Sequence, residues 1–329
     1  MHEIIILTVI LALLFDLSNG WNDSANAIAT VVSTRVLSPA KAVALAAVMN
    51  MLGAFLSTEV AKTIGKGVVD PKAVTEMVVL STLIASFLWN ALMTVAGLPV
   101  SASHALIGSL IGASIAYGGA GILNISGLTK IFSSLIVSPI LGIFFGFIFM
   151  KLILKFFGRH SPSLINRNFG RLQLLSSGFM ALSHGSNDAQ KVMGIITLSL
   201  VSGGYLKGLD VPFWVILLCA LAMGLGTALG GWKVIKTLGV NMLKLEPVHG
   251  FAAETSAAAI ILGASHFGFP VSTTHVISTS IMGVGATKRL SAVRWGIAGK
   301  IVMAWVLTLP VCAALSWILC KALLFYTVS

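Results

Sequence analysis

Apolar residues in this chain neither alternate with period two nor keep to one helical face; they gather in long runs separated by short polar connections. Such runs match the ~20 residues that a helix needs to cross a hydrocarbon core of ~30 Å. Ten segments can be drawn, over residues 3–35, 41–62, 74–97, 99–118, 128–157, 172–204, 211–235, 248–266, 270–287 and 294–325. No polar block between them could form a separate soluble domain. The pattern predicts an all-α polytopic membrane protein, multi-pass in the cell membrane.

The first and sixth segments are too long for one crossing, since at 1.5 Å per residue each unbroken helix would reach ~50 Å. A break is expected in each, at the polar, glycine-bearing stretches Ser18 to Asp23 and Ser183 to Asp188. No Asp, Glu, Lys or Arg occurs between Glu76 and Lys130 or between Glu254 and Lys288, yet Gly97-Leu98-Pro99 and Gly268-Phe269-Pro270 interrupt both stretches. A turn without charge is expected to stop inside the membrane as a re-entrant hairpin tip, its backbone covered by protein.

These features recur in order. Gly20-Trp21-Asn22-Asp23 returns as Gly185-Ser186-Asn187-Asp188, Val60 to Gly65 as Val234 to Gly239, and Pro99 to His104 as Pro270 to His275. Five segments per copy is an odd number, so the second copy enters from the opposite side. The expected architecture is two inverted-topology repeats with broken helices directed at a site near the midplane. Residues 1–157 form the first repeat, 158–171 a basic cytoplasmic connection, and 172–329 the second repeat.

Composition agrees: 57% of the 329 residues are apolar and 9% charged, with a mean hydropathy of +0.99. A net charge of +11 could suggest nucleic acid, but the Lys and Arg residues sit in short connections, the pattern of membrane orientation. Clusters at Arg35 and Lys41, from Lys155 to Arg171, from Lys233 to Lys244 and from Lys288 to Arg294 fall on alternate connections and mark the cytoplasmic side. Cys219, Cys312 and Cys320 lie in apolar runs without metal or disulfide spacing, and read as packing residues. The first run has no basic residue ahead of it and carries Asp16, against a cleaved signal peptide.

Asp23 and Asp188 fall at matched places deep in apolar segments. A bare carboxylate there costs at least ~2.5–3.5 kcal/mol, so it calls for a cation, a proton or a donor. Either could instead serve as an N-cap for the half-helix that follows. Asn22 and Asn187 add amide oxygens, which suit a hard alkali cation. At the tips, Ser101, Ser103, Ser272, Thr273 and Thr274 place hydroxyls where helix N-termini are expected, a setting for an oxyanion. His104 and His275 read as structural or as proton-transfer residues. Lys191, three residues past Asp188 and the counterpart of Asn26, can pair with that acid or touch the anion. Glu254 is another acid, close enough to a segment end to be solvated.

Gly20 to Ala27 (G-W-N-D-S-A-N-A), His184 to Lys191 (H-G-S-N-D-A-Q-K) and the paired P-V-S-x-S/T-H tips resemble the duplicated signature of the inorganic phosphate transporter (PiT) family over nearly the whole chain. The resemblance implies symport of inorganic phosphate with sodium ions or protons and no other cofactor. It implies a site of Asn22, Asp23, Asn26, Ser101, Ser103, Asn187, Asp188, Gln190, Ser272, Thr273 and Thr274; with the reading of the residues above, Lys191 joins Asn26, Gln190 and the tip hydroxyls as expected substrate residues, and Asn22, Asp23, Asn187 and Asp188 are expected to bind cations, with sodium at the two aspartates. Some members carry Glu in the second segment where this chain has Asn50, and some carry a large cytoplasmic insertion where this chain has only Lys155 to Arg171. The alternatives are another tetrahedral oxyanion such as sulfate, an anion channel, and a membrane hydrolase, the last disfavoured because the Ser/His stretch is duplicated. Besides phosphate, the lipid bilayer and a second copy of the chain are the partners this reading admits, without nucleic acid.

If the basic clusters are cytoplasmic, Ser163→Cys in a background lacking the three native cysteines is inert to an impermeant thiol reagent in intact cells and labels after permeabilisation. Strong labelling before permeabilisation reverses the orientation.

Overall fold

The computed structural model describes residues 2–328. The N-terminal half comprises α1 (His2–Ser33), α2 (Pro39–Gly53), α3 (Glu59–Gly67), α4 (Glu76–Ala96), α5 (Ala102–Gly118) and α6 (Ile125–Phe157). The C-terminal half repeats the order with α7 (Pro162–Ser202), α8 (Phe213–Leu229), α9 (Trp232–Lys236), α10 (Pro247–His266), α11 (Thr273–Lys288) and α12 (Trp295–Val328). Helix dominates because backbone polar groups in hydrocarbon must be satisfied within their own segment.

Packing exchanges partners between the halves. α1 lies on α8 and α7 on α2; α5 lies on α12 and α11 on α6. α1 and α7 also meet directly, as do α2 and α8. The outer faces of α6 and α12 expose Ile136, Ile140, Phe144, Val306 and Ile318, large apolar side chains that only a lipid environment accommodates. Four helices are long and apolar enough to span a membrane, within α1, α4, α6 and α12, and α8 with the segment Trp232–Asn241 adds a span bent by 65°. The protein is a multi-pass membrane protein. α2, α5 and α11, at 15, 17 and 16 residues, fall short of the ~20 of a full crossing.

The structure corrects the placement of the breaks. α1 and α7 are continuous through Ser18–Asp23 and Ser183–Asp188, at 32 and 41 residues. The Ser18, Asn19, Asn22, Asp23, His184 and Asn187 side chains in or beside those stretches each reach a neighbouring helix without the backbone opening. Gly20 and Gly185 serve contact and not breakage: a Cβ on Gly20 would come within 2.5 Å of the Met223 carbonyl oxygen on α8, and one on Gly185 within 2.0 Å of that of Asn50 on α2. Much of the excess length of α7 lies at its start, because it begins at Pro162 within the stretch 158–171 expected as a connection.

The real interruptions lie elsewhere. Segments 41–62 and 211–235 each divide, into α2 with α3 and α8 with α9, so the Val60–Gly65 and Val234–Gly239 repeats fall in or around short helices. The two Gly-x-Pro turns do end helices. Gly97 and Gly268 adopt φ of 74° and 68°, left-handed values that glycine takes without strain. Beyond them Pro99, Val100, Pro270 and Val271 are buried, and the two tips meet inside the protein.

Each tip is tied by its proline carbonyl. Trp305 Nε1 on α12 donates to the Pro99 carbonyl at 3.1 Å, and Ser134 Oγ on α6 to the Pro270 carbonyl at 2.7 Å. The two anchors are 171 residues apart, as are the two prolines.

Gly185→Ala drives a methyl into the α2 backbone, and overpacking of this kind costs ~1–3 kcal/mol. Thermal unfolding of purified protein should show a loss of several degrees. Gly121→Ala, with nothing near its Cβ, should leave the midpoint unchanged.

Candidate functional site

Where α1 crosses α7, the Asp23, His184 and Asp188 side chains converge with their ligand atoms all within 4.8 Å of one another, and all are buried. His184 Nε2 lies 3.6 Å from Asp23 Oδ2 and 3.8 Å from Asp188 Oδ2. Both aspartates sit in mid-helix, so neither is an N-cap.

The hydrogen-bond chain behind His184 sets its tautomer. Thr227 Oγ1 donates to the Met223 carbonyl at 2.9 Å and so accepts from Asn50 Nδ2, also at 2.9 Å. Asn50 Oδ1 therefore faces His184 Nδ1, at 2.9 Å, as an acceptor. Nδ1 therefore carries a hydrogen, and Nε2 faces the two carboxylates. Two carboxylates and one ring nitrogen thus share a buried space in which a cation or a proton would offset the charge of the acids.

The two aspartates are supported differently. Lys191 Nζ donates to Asp188 Oδ1 at 2.7 Å and to the Val271 carbonyl at 3.0 Å, while Asn19 Nδ2 reaches Asp188 Oδ2 at 3.3 Å. Of the two sequence readings for Lys191, the pair with Asp188 is what the structure forms. On the other side Asn26, the counterpart of Lys191, brings no charge. Its Nδ2 donates to Thr274 Oγ1 at 3.0 Å, and Thr274 Oγ1 lies 3.0 Å from both Asp23 Oδ1 and the Val100 carbonyl. The Asp23 Oδ2, Asn22 Oδ1 and Asn26 Oδ1 atoms are buried without hydrogen-bond partners.

The tips enter this centre from each half. Ser101 Oγ caps α5 by accepting from the His104 N–H at 3.1 Å, and Ser272 Oγ caps α11 by accepting from that of His275 at 3.3 Å. Ser103 Oγ donates across the junction to the Val271 carbonyl at 3.0 Å, and Thr274 Oγ1 faces the Val100 carbonyl at the same distance. Thr273 is buried in the first turn of α11. The rings of His104 and His275 lie 4.6 Å apart, and His275 stacks on Trp305 at 3.9 Å. Asn22 and Asn187 hold the tips to α1 and α7: Asn22 Nδ2 donates to Thr94 Oγ1 at 2.8 Å, and Asn187 Nδ2 to Ser265 Oγ at 2.8 Å and the Phe269 carbonyl at 3.3 Å.

Gln190 stands apart from this group. Its Oε1 accepts from the Val60 N–H of α3 at 2.8 Å and its Nε2 donates to the Ser186 carbonyl.

Two features escaped sequence reasoning. His184 occupies the repeat position of Asn19, four residues before the aspartate, and that register was the available signal. Glu254 is fully buried and not solvated at a segment end; it accepts from Gln173 Nε2 at 3.0 Å and from the hydroxyls of Thr30 and Ser176. Those partners come from α1 and the start of α7, which no local pattern links to α10.

Comparison with known proteins matches residues 19–316 to the phosphate transporter family. A Bacillus subtilis protein described as a probable low-affinity inorganic phosphate transporter is 48% identical over 313 residues, 94% of each chain. A Rhizobium meliloti protein of the same description is 45% identical over 310 residues, covering 94% of this chain and 93% of its own. Among solved structures, a sodium-dependent phosphate transporter superposes with a TM-score of 0.89 at 28% identity, over 98% of this chain and 99% of that one.

The Asp188–Lys191 pair has a thermodynamic signature. Lys191→Met leaves a buried carboxylate uncompensated, at a cost of ~3–5 kcal/mol. Adding Asp188→Asn should recover most of that stability in thermal unfolding. A double variant as unstable as Lys191→Met alone would show that the pair does not support the fold.

Proposed function

The chain belongs to the phosphate transporter family, and from that premise we propose that it carries inorganic phosphate across the cell membrane in symport with a monovalent cation, by alternating access of one central site. The observation that carries the coupling is the convergence of Asp23, Asp188 and His184 in one space, buried where the two halves cross. An anion has no reason to approach two carboxylates unless their charge is offset.

Oxygen donors in the cluster fit an alkali cation: both carboxylates, with the Asn22 and Asn26 oxygens left without partners beside Asp23. Asn187 contributes less, because its Oδ1 already lies 3.4 Å from the Val271 N–H. The family relative described as sodium-dependent favours sodium, at Asp23 and Asp188, over a proton. A bound cation supplies the charge compensation that lets the anion bind, so cation and phosphate assist each other by linkage.

Phosphate binding is assigned to the residues around the tips. Ser101, Ser103, Ser272, Thr273 and Thr274 bring hydroxyls to the N-termini of α5 and α11, whose partial positive charge favours an anion. Lys191 supplies a full positive charge and Asn26 an amide from the opposite half; Gln190 acts from behind, through α3. Thr274 bridges the two functions, since its hydroxyl contacts both Asp23 and the facing tip. A change at the cation cluster is thereby transmitted to the tip that contacts the anion.

The exchanged packing of the halves and the recurrence of the helix order support inverted repeats, in which rocking of one half against the other exposes the same site alternately. Relatives of the chain are described as transporters and permeases, and the protein is not an enzyme.

The test is uptake of labelled phosphate into proteoliposomes under sodium and proton gradients imposed separately. Ser101→Ala with Ser103→Ala, and Ser272→Ala with Thr274→Ala, should each weaken phosphate binding ~10- to 100-fold, at ~1.5–3 kcal/mol for a bond to a charged acceptor. Asp23→Asn and Asp188→Asn should abolish or uncouple transport. Parent-like uptake with the same ion dependence in both would refute the mechanism, and competition by sulfate equal to that by phosphate would refute the substrate assignment.

A further inference from the structure

One buried acid takes no part in the arrangement above. Asp16 lies on α1, with no exposed surface, and its carboxylate oxygens have no hydrogen-bond partner other than the weakly donating Cys219 thiol of α8. Among the described residues no basic side chain lies within ion-pair distance of it. The repeat register that matches Asn19 to His184 and Asp23 to Asp188 matches Asp16 to Ala181, itself fully buried. The C-terminal half builds the same position with a methyl group, so packing alone does not require a carboxyl there.

Position connects Asp16 to the centre. It sits one helical turn before Asn19 and two turns before Asp23, on the same side of α1. Asn19 donates to Asp188 Oδ2, and its own Oδ1 is buried without a partner. A carboxylate one turn from that orphaned oxygen adds further acceptors to the same side of the helix. A protonated carboxyl has the O–H that both atoms lack.

The ionisable groups facing Asp16 are few. From α8 comes the Cys219 thiol, and from α7 come Asp188 and Lys191. α4 has no ionisable side chain after Glu76, and Lys41 of α2 and Lys233 and Lys236 of α9 are exposed. α10 and α11 meet α1 further along, at Thr30 with Glu254 and at Asp23 and Asn26 with Thr274.

We propose that Asp16 is a proton-binding site of the transport cycle, protonated while the Asp23–His184–Asp188 cluster is anionic and deprotonated when a cation occupies that cluster. The event is simple: the Asp16 O–H bond breaks heterolytically, the electron pair stays on the carboxylate, and the proton passes to water. A cation at the cluster provides the positive charge that an ionised Asp16 otherwise lacks. Linkage requires the reciprocal effect, in which rising proton concentration weakens cation binding. The proposal rests on the cation site put forward above, and places a second, one-sided ion site beside it.

The experiment reads protons directly. Sodium chloride is added to weakly buffered, detergent-purified protein containing a pH indicator, with choline chloride as the control. The parent should release protons on sodium addition, whereas Asp16→Asn and Asp16→Ala should release fewer; the Ala variant copies Ala181 and is expected to fold. In parent proteoliposomes the half-saturating sodium concentration for phosphate uptake should fall severalfold per pH unit as pH rises, and this slope should flatten in both variants. Titration of phosphate itself is common to all three proteins and cancels in the comparison. The infrared band of a protonated carboxyl should be present in the parent and lost on sodium addition. No sodium-dependent release from the parent, or equal release from all three proteins, overturns the proposal. Absence of phosphate uptake by the parent under any gradient would instead overturn the transport reading, while proton release still decides the role of Asp16.

Discussion

Two carboxylates held in one buried space repel each other, and the remainder of the central architecture is arranged around that repulsion. At 4 Å two like charges oppose each other by ~4 kcal/mol even at an effective dielectric of 20. Asp188 is relieved by Lys191 at 2.7 Å and by an amide from Asn19, whereas Asp23 receives only a hydroxyl from Thr274. The repeat has therefore kept the geometry of the two halves and divided their charge. One aspartate is paired with a lysine, and the other has no lysine or arginine beside it among the described residues.

The same asymmetry runs through the supports. Asn26 stands opposite Lys191, Asn19 opposite His184, Ala181 opposite Asp16, and Ser134 opposite Trp305. In each pair the backbone position is preserved while the chemistry is specialised. The Pro99 tip is held by a bulky indole stacked on His275, while the Pro270 tip is held by a serine hydroxyl and adjoins a cavity of about 810 Å³ lined by apolar side chains of α6 and α10.

Much of this was legible in the chain. Lengths of apolar runs marked the helices to within a few residues for most segments, because hydrocarbon thickness leaves little freedom. The duplicated N-D and P-V-S-x-S/T-H stretches marked Asp23, Asp188 and the tip hydroxyls as one constellation, because polar groups in such a setting are costly without a purpose. Length alone misled at α1 and α7. A 33-residue apolar run looks too long to be unbroken only if every residue must lie in hydrocarbon, and α7 starts well before its apolar stretch does.

What the sequence determined by itself is periodic or repeated: the all-helical membrane class, the two halves, the glycine-proline turns, and the residue types available for an ion and an oxyanion. Tertiary structure decided which of those residues share a space. Whether Ser18–Asp23 opens or continues as helix depends on partners from α4, α7 and α8, and no local pattern reports them. The tautomer of His184 depends on a chain through Asn50, Thr227 and Met223, contributed by two other helices. Gln190 turned to α3 and Glu254 was sealed by Thr30, Gln173 and Ser176 for the same reason. Helical propensity and hydropathy are sums over neighbours in the chain, whereas the energy of a buried polar atom is set by neighbours in space.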